Sequence, residues 1–364
     1  MRLVRGGTDT VRLGVTLGLL GWGVLMLLAL LQGLGHKLFS LTVIGIHARL
    51  LVAIPLFFAC ETAVAPRMAE FVRNIVRSEV VSPSALPALE SGIAGITRWK
   101  DSWIPEAMCL LAAALLPLIG TQLHLVGAMA TFVPSRAVAD GTLAGRWYSF
   151  VCLPLFRFLM FRWLWRLGLW GYFLWRVAKL KLTLVPTHPD GAAGLGYLEI
   201  VQTHFTPLVL TISAVQSASL AEGLSAGTMT FEAVYPSIAL ILVLDAVLFL
   251  GPLFIFAPKL WACRVKGLSD YMEFAARYVH GFDRKWLGDD PAPGKVLLGT
   301  PDLQSLADLS NSIGIVRNMR WIPLSLRLLE NLAISALLPI VPLLLFEYPV
   351  ADLARNFFTR LTGL

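Results

Sequence analysis

Three charged residues stand where charge is expensive. Asp245 lies in the run Val243-Leu244-Asp245-Ala246-Val247, and Arg49 and Arg157 lie in two further apolar segments. A charged side chain at the centre of a membrane-spanning helix costs about 2.5–3.5 kcal/mol on insertion scales. A carboxylate and two guanidiniums at one depth therefore predict either an ion pair that locks helices together or a polar site for a small solute. Two cations against one anion favour an anionic solute. A second constellation is Thr187-His188-Pro189-Asp190-Gly191, followed by Gly194 and Gly196. Pro fixes φ, Asp supplies an acceptor and Gly tolerates a left-handed turn, so the stretch reads as a tight turn. The alternative is a functional polar corner using His188 and Asp190. The glycine spacing approaches a phosphate loop but lacks the Lys-Ser/Thr that binds phosphate and metal there. Third, Arg162 and Arg166 are one helical turn apart and interleaved with Trp163 and Trp165, which predicts a lipid head-group belt.

Other chemistries lack their residues. The cysteines Cys60, Cys109, Cys152 and Cys263 form no CxxC pair, and three lie in apolar runs, which predicts buried thiols and no metal. His124 and His204 have no ligand spacing to another histidine or carboxylate. No HExxH, Walker-A loop or GxSxG elbow occurs, and no cofactor is implied. An enzyme working through His188 and Asp190 therefore ranks below the other readings.

The elements that must position these groups follow from composition. The chain is 57% hydrophobic and only 15% charged, with a mean hydropathy of +0.72. Soluble domains carry about a quarter charged residues, so this chain has too little polar surface to cover itself in water. Crossing about 30 Å of hydrocarbon takes about 18 or more apolar residues as a helix. Seven segments qualify: 13–34, 41–63, 106–130, 148–175, 204–222, 236–258 and 330–348. The count is bounded at six to eight. The fifth is weakest, diluted by Ser213, Gln216, Ser217 and Ser219. Arg2, Arg5 and Arg12 precede the first span, whose length exceeds a signal-peptide core, so it is read as retained. With a cytoplasmic N-terminus, 21 lysines and arginines fall on the inner side and 5 outside, as the positive-inside rule requires. The net charge of +7 follows the same loops and excludes nucleic acid as a partner.

Three loops then face the cytoplasm. In 65–105, Met68, Phe71, Val72, Ile75 and Val76 recur at helical spacing after Pro66, which predicts an interfacial helix. In 176–203, the alternation Lys179-Leu180-Lys181-Leu182-Thr183-Leu184 predicts a short extended segment. In 259–329, two helices are expected. The first opens on a cap-like Asp270/Glu273 pair, and the second is capped by Thr300 with Pro301 at its first position. A Gly/Pro/Asp linker at 288–294 separates them. Counted from the predicted span starts, Arg49, Arg157 and Asp245 each lie roughly 12–14 Å below the outer edge. That shared level predicts that Asp245 pairs with one arginine or both. No internal repeat is evident.

The stretches 184–196, Phe282-Asp283-Arg284-Lys285-Trp286-Leu287 and Asp302-Leu303-Gln304-Ser305-Leu306-Ala307-Asp308-Leu309 resemble a family of uncharacterised bacterial multi-pass membrane proteins. The likeness covers roughly 148 to 348. It implies the bacterial inner membrane and carries no established activity. The expectation is thus an all-α, polytopic membrane bundle, one integral domain over 1–364, with a helical cytoplasmic layer built from 65–105, 176–203 and 259–329. Its partners are the lipid bilayer, a small solute and a second copy of the chain. The first functional reading is a channel or transporter with Arg49, Arg157 and Asp245 in its wall. The second is a scaffold recruiting partners through 259–329.

Overall fold

A computed structural model describes residues 7–123, 141–287 and 300–347. His124, the linker 288–294, the end of the third predicted span and the C-terminal tail lie outside the described residues. Within them the chain is all-helical. The helices are α1 (Gly7–Leu31), α2 (Leu41–Arg77), α3 (Leu86–Lys100), α4 (Trp103–Leu123) and α5 (143–179). They continue with α6 (Thr206–Ser225), α7 (Val234–Asp245, extended by further turns to Phe256), α8 (Ala257–Trp286), α9 (Pro301–Asn318) and α10 (Leu326–Leu337).

Among the described residues, four helical stretches are long and apolar enough to cross a membrane: Asp9–Leu31, Leu41–Arg77, Tyr197–Ser225 and Phe231–Trp286. Large apolar side chains are exposed on these and on other helices. Leu20 on α1, Phe150 on α5, Val247 beyond α7 and Leu338 beyond α10 are each about 60% exposed or more. A surface of that kind is stable in lipid and a liability in water.

A layout recurs three times. The pairs α1–α2, α4–α5 and α6–α7 are helical hairpins, and each second helix carries Pro-Leu-Phe: Pro55-Leu56-Phe57, Pro154-Leu155-Phe156 and Pro252-Leu253-Phe254. The prolines are 99 and 98 residues apart. Just before each one the helix widens into a π-turn, at Ala48–Ala53, Tyr148–Cys152 and Ala246–Leu250. The cause is local: proline has no N–H and its ring crowds the carbonyl one turn back, and a wider turn relieves both. The sequence reading missed this recurrence, because its signal is a three-residue motif at long spacing.

The freed carbonyls find other donors. Phe249 O, at the end of the third π-turn, accepts from the Gln202 side chain, and Pro339 O before the last 3-10 turn accepts from Ser217. Leu50 O faces Gly18, where any Cβ would sit only 2.3 Å away. That approach of backbone to carbonyl requires glycine.

The non-spanning segments interlock. Val81 and Leu182 form an antiparallel bridge, with Thr183 N donating to Val80 O at 2.8 Å, so the alternating segment is extended as expected. Its other side lies along one face of α8, at every fourth residue. Lys259 Nζ donates to Leu180 O, Cys263 Sγ to Leu184 O, and Tyr271 pairs with Thr187. Gly267 meets Pro186 in the same row. Two local expectations change. No separate interfacial helix begins at Pro66, because α2 runs unbroken through it; Phe71 and Ile75 are fully buried, and the Phe71 ring packs edge-on against Trp170 at 5.8 Å. Asp270 and Glu273 are mid-helix, since α8 starts at Ala257 with a proline in its first turn. Thr300 does occupy the N-cap position of α9, in extended backbone.

At Gly267 an added Cβ would lie 2.7 Å from Pro186 Cβ, whereas at Gly281 it would meet nothing within 4 Å. Gly267→Ala should lower stability in detergent by about 1–3 kcal/mol through overpacking. Gly281→Ala should be neutral or raise it by up to about 1 kcal/mol. Paired thermal melts check this, and equal melting temperatures would contradict the packing described.

Candidate functional site

The buried polar groups gather around α6, the span that sequence ranked weakest. Its Ser219 Oγ accepts from Arg49 Nη2 at 3.1 Å, and Arg49 Nη1 donates to Tyr148 Oη at 2.8 Å. Arg49 and Tyr148 hold the same place in their hairpins, each six residues before its proline. Both are 1% exposed. Arg157 is equally buried and lies within electrostatic range of both. Glu222, at the C-terminal end of α6, accepts from Gly45 N at 2.8 Å and so ties down the start of α2.

Asp245 is elsewhere. Its Oδ2 accepts from Ser213 Oγ at 3.4 Å, and its buried Oδ1 has no hydrogen-bond partner among the described residues. A cavity of about 160 Å³ touches it, walled by Val209, Leu242, Phe249, Leu329, Leu332 and Ala336. Among the described ion pairs none joins Asp245 to Arg49 or Arg157. Asp245 and Arg49 therefore stand apart, and helix starts account for it. The helix that carries Asp245 begins at Phe231, earlier than the predicted start at 236, so Asp245 stands fourteen residues in and Arg49 eight past Leu41. That six-residue difference matches the offset between Ser213 and Ser219 on α6, about 9 Å along a helix axis. Asp245 also lies seven residues before its proline rather than six, and one residue turns a side chain about 100° around a helix.

A third polar level was not foreseen. Glu61 Oε1 accepts from Arg166 Nη2 at 2.8 Å, and its Oε2 accepts from Arg162 Nη1 at 3.1 Å. Arg162 Nε also reaches Glu106 at 3.6 Å. Trp163 donates to Phe57 O at 3.2 Å, with the Arg166 guanidinium 5.6 Å from its ring centroid. Trp165 is more exposed and packs against Trp99. The belt residues are thus joined by an ion-pair network between α2 and α5. The spacing of Arg162 and Arg166 was legible; their carboxylate, about a hundred residues away, was not.

The His188–Asp190 corner closes on itself. Asp190 Oδ1 accepts from Ala192 N at 2.8 Å, and its Oδ2 accepts from Gly194 N at 3.1 Å and Gly196 N at 2.7 Å. His188 Nδ1 lies 2.8 Å from Oδ1. Gly191, Ala193 and Gly194 have φ of +64°, +54° and +98°, which turns successive amides toward one point. Such a nest binds anions, and the anion here is the chain's own carboxylate. Arg320 bridges outward, donating to Asp190 O and to Glu199 at 2.8 Å each, while Ser325 also bonds Glu199. Burial alone would raise the Asp190 carboxyl, but the three amides and His188 outweigh it and hold the pKa below the usual carboxylate range. A carboxylate so engaged is a poor general base.

A fourth cluster links α2 to the start of Tyr197–Ser225. His204 Nδ1 lies 2.7 Å from Ile200 O, and its Nε2 accepts from Arg67 Nε at 3.3 Å. Arg67 also pairs with Glu70 at 2.6 Å, to which Tyr197 donates. His204 therefore serves as a helix-to-helix contact.

Fold and polar clusters together define the chain as an all-helical protein of membrane character. No protein-family model matches it, and neither a curated protein nor a solved structure shows significant similarity.

Asp190→Asn removes the charge from three amide bonds and puts an NH₂ where one oxygen accepts. A loss of about 2–3 kcal/mol is expected. Because the folded pKa is depressed, the stabilisation is present at neutral pH and disappears as pH falls below about 3.9 through the folded value. Melting temperature against pH should therefore show a flatter acid limb in Asp190→Asn than in the natural chain.

Proposed function

We propose that the protein conducts or transports a small anionic solute across a bilayer, with the polar side chains around α6 as its path. The observation that carries this reading is Asp245: a buried carboxylate with one unpartnered oxygen, opening on a cavity amid apolar walls. A carboxylate kept at that cost inside a span marks ion paths and proton relays. Interrupted helices add support, because proline- and glycine-broken spans at corresponding positions point to transporter binding sites. Three such breaks occur among the described helices, and one of them directly follows Asp245.

In this reading the bundle has seven spans, with α4, α5 and α10 joining the four apolar stretches described above. The N-terminus is cytoplasmic and the membrane is the bacterial inner membrane. The 65–105, 176–203 and 259–329 segments form a cytoplasmic layer, and self-association is compatible with it. Arg49, Tyr148 and Ser219 form an outer station for an anion, a guanidinium whose bonds go to hydroxyls. Asp245 and Ser213 form an inner station, where the carboxylate carries an accompanying proton. The scaffold reading stays second, supported by exposed Met272, Phe274, Leu303 and Ile315 on α8 and α9. The enzyme reading falls behind both, because Asp190 is committed to its own turn.

Liposome flux tests the proposal across several anions and cations. Arg49→Lys keeps the charge but loses the fork that reaches both hydroxyls; anion flux should fall about tenfold, equivalent to 1.4 kcal/mol. Asp245→Asn should abolish the response of flux to a pH gradient. Flux of every solute no greater than in protein-free liposomes would refute the reading.

A further inference from the structure

Helix α8 buries little of itself. Of its thirty residues only Leu260 and Gly267 are buried, and α9 beside it buries only Val316. One face of α8 is held by the extended segment, along the row Lys259, Cys263, Gly267 and Tyr271. A second, apolar row lies open. Trp261, Val265, Leu268, Met272, Ala276 and Val279 follow one another at steps of four, three, four, four and three. At about 100° per residue they share an arc of about 80°, centred roughly opposite the first row. Trp261, Val265, Met272 and Val279 are between 38% and 53% exposed.

Register, charge and area choose the occupant. Steps of three and four over about 27 Å are the pattern by which one helix packs along another as a coiled coil. In a seam between parallel, identical helices each residue meets its own copy, so any charge placed there repels itself. The row carries no charge from Trp261 to Val279, and Ser269 on its flank is small and neutral. The charges lie further round the helix and alternate in sign, as Lys266, Asp270, Glu273 and Arg277. A helix resting on a membrane surface is instead rich in Lys and Arg on its polar face. Copies inserted in one membrane share an orientation, so a second α8 would arrive parallel to the first. Burying the exposed area of the row in two copies removes on the order of 1,000 Å² from water, the size a specific interface needs.

We infer that two copies of the chain pair in parallel through this row of α8, with Val265, Met272 and Val279 on the two-fold seam. The pairing does not depend on transport activity, so cross-linking and flux can fail separately.

Cysteine cross-linking in vesicles, with copper phenanthroline as oxidant, reads the register directly. The four native cysteines are first replaced by alanine. Val265→Cys, Met272→Cys and Val279→Cys should then each form a disulfide-linked dimer at least tenfold faster than Lys266→Cys, Glu273→Cys and His280→Cys, one residue further on. Light scattering of the natural chain in detergent keeps the test open if the cysteine-free chain does not fold. It should show a dimer, and Met272→Arg should weaken self-association at least tenfold. A monomeric natural chain, or cross-linking without the seven-residue repeat, overturns the inference. So does a Met272→Cys thiol that forms no dimer yet is shielded from a water-soluble maleimide. Shielding in vesicles alone would assign the row to lipid, and shielding in detergent as well would assign it to the rest of the same chain.

Discussion

A proline inside an apolar helix removes a backbone donor where no water can replace it. In hydrocarbon every such carbonyl must find another partner or the helix end must be moved to water. This chain accepts that constraint at Pro55, Pro154 and Pro252 and answers it with a π-turn each time. Wider turns alone do not satisfy every group. Gln202 and Ser217 lie on or just before α6 and supply side-chain donors to the breaks at Phe249 and Pro339. The polar residues that weaken this span as a hydrophobic segment are the ones that let its neighbours bend.

The same helix explains how buried charge is tolerated. Ser219 holds Arg49 and Ser213 holds Asp245, two contacts on one rigid rod. A bilayer span made only of leucine would force each charge to find its counter-ion directly. Hydroxyls hold Arg49 directly, and the Glu222 carboxylate lies within electrostatic range of it. The Glu61 network takes the opposite course, with two guanidiniums on one carboxylate.

Much of this was legible in sequence. Spans follow from composition, and the extended segment at 179–184 and the turn at Thr187-His188-Pro189-Asp190-Gly191 follow from local residue types. What failed was register between distant elements. Depth counted from predicted helix starts placed Asp245 beside Arg49, and an early start at Phe231 displaced it by five residues. The glycine run at 191–196 reads from sequence as a tight turn without the Lys-Ser/Thr of a phosphate loop, and no spacing rule could say that Asp190 fills the nest it makes. Glu61 stands near the end of its predicted span, where sequence alone offers it no partner; its two arginines lie on another helix.

The recurrence of Pro-Leu-Phe bears most directly on mechanism. Three hairpins share a proline, a π-turn and a polar group six or seven residues earlier, yet the groups are Arg49, Tyr148 and Asp245. Hairpins entering from one side repeat with parallel topology, so the absence of an inverted repeat says little against transport. Equivalent positions in the first two hairpins meet, and Arg49 bonds Tyr148 at 2.8 Å. In the third, a shift of one residue rotates the carboxylate toward Ser213 and its own cavity. Had Asp245 occupied the equivalent place at 246, it would share a register with Arg49 and Tyr148 and closing an ion pair there would leave no free acceptor. The displacement sets Arg49 and Asp245 at different levels of α6, held by Ser219 and Ser213 about 9 Å apart along its axis.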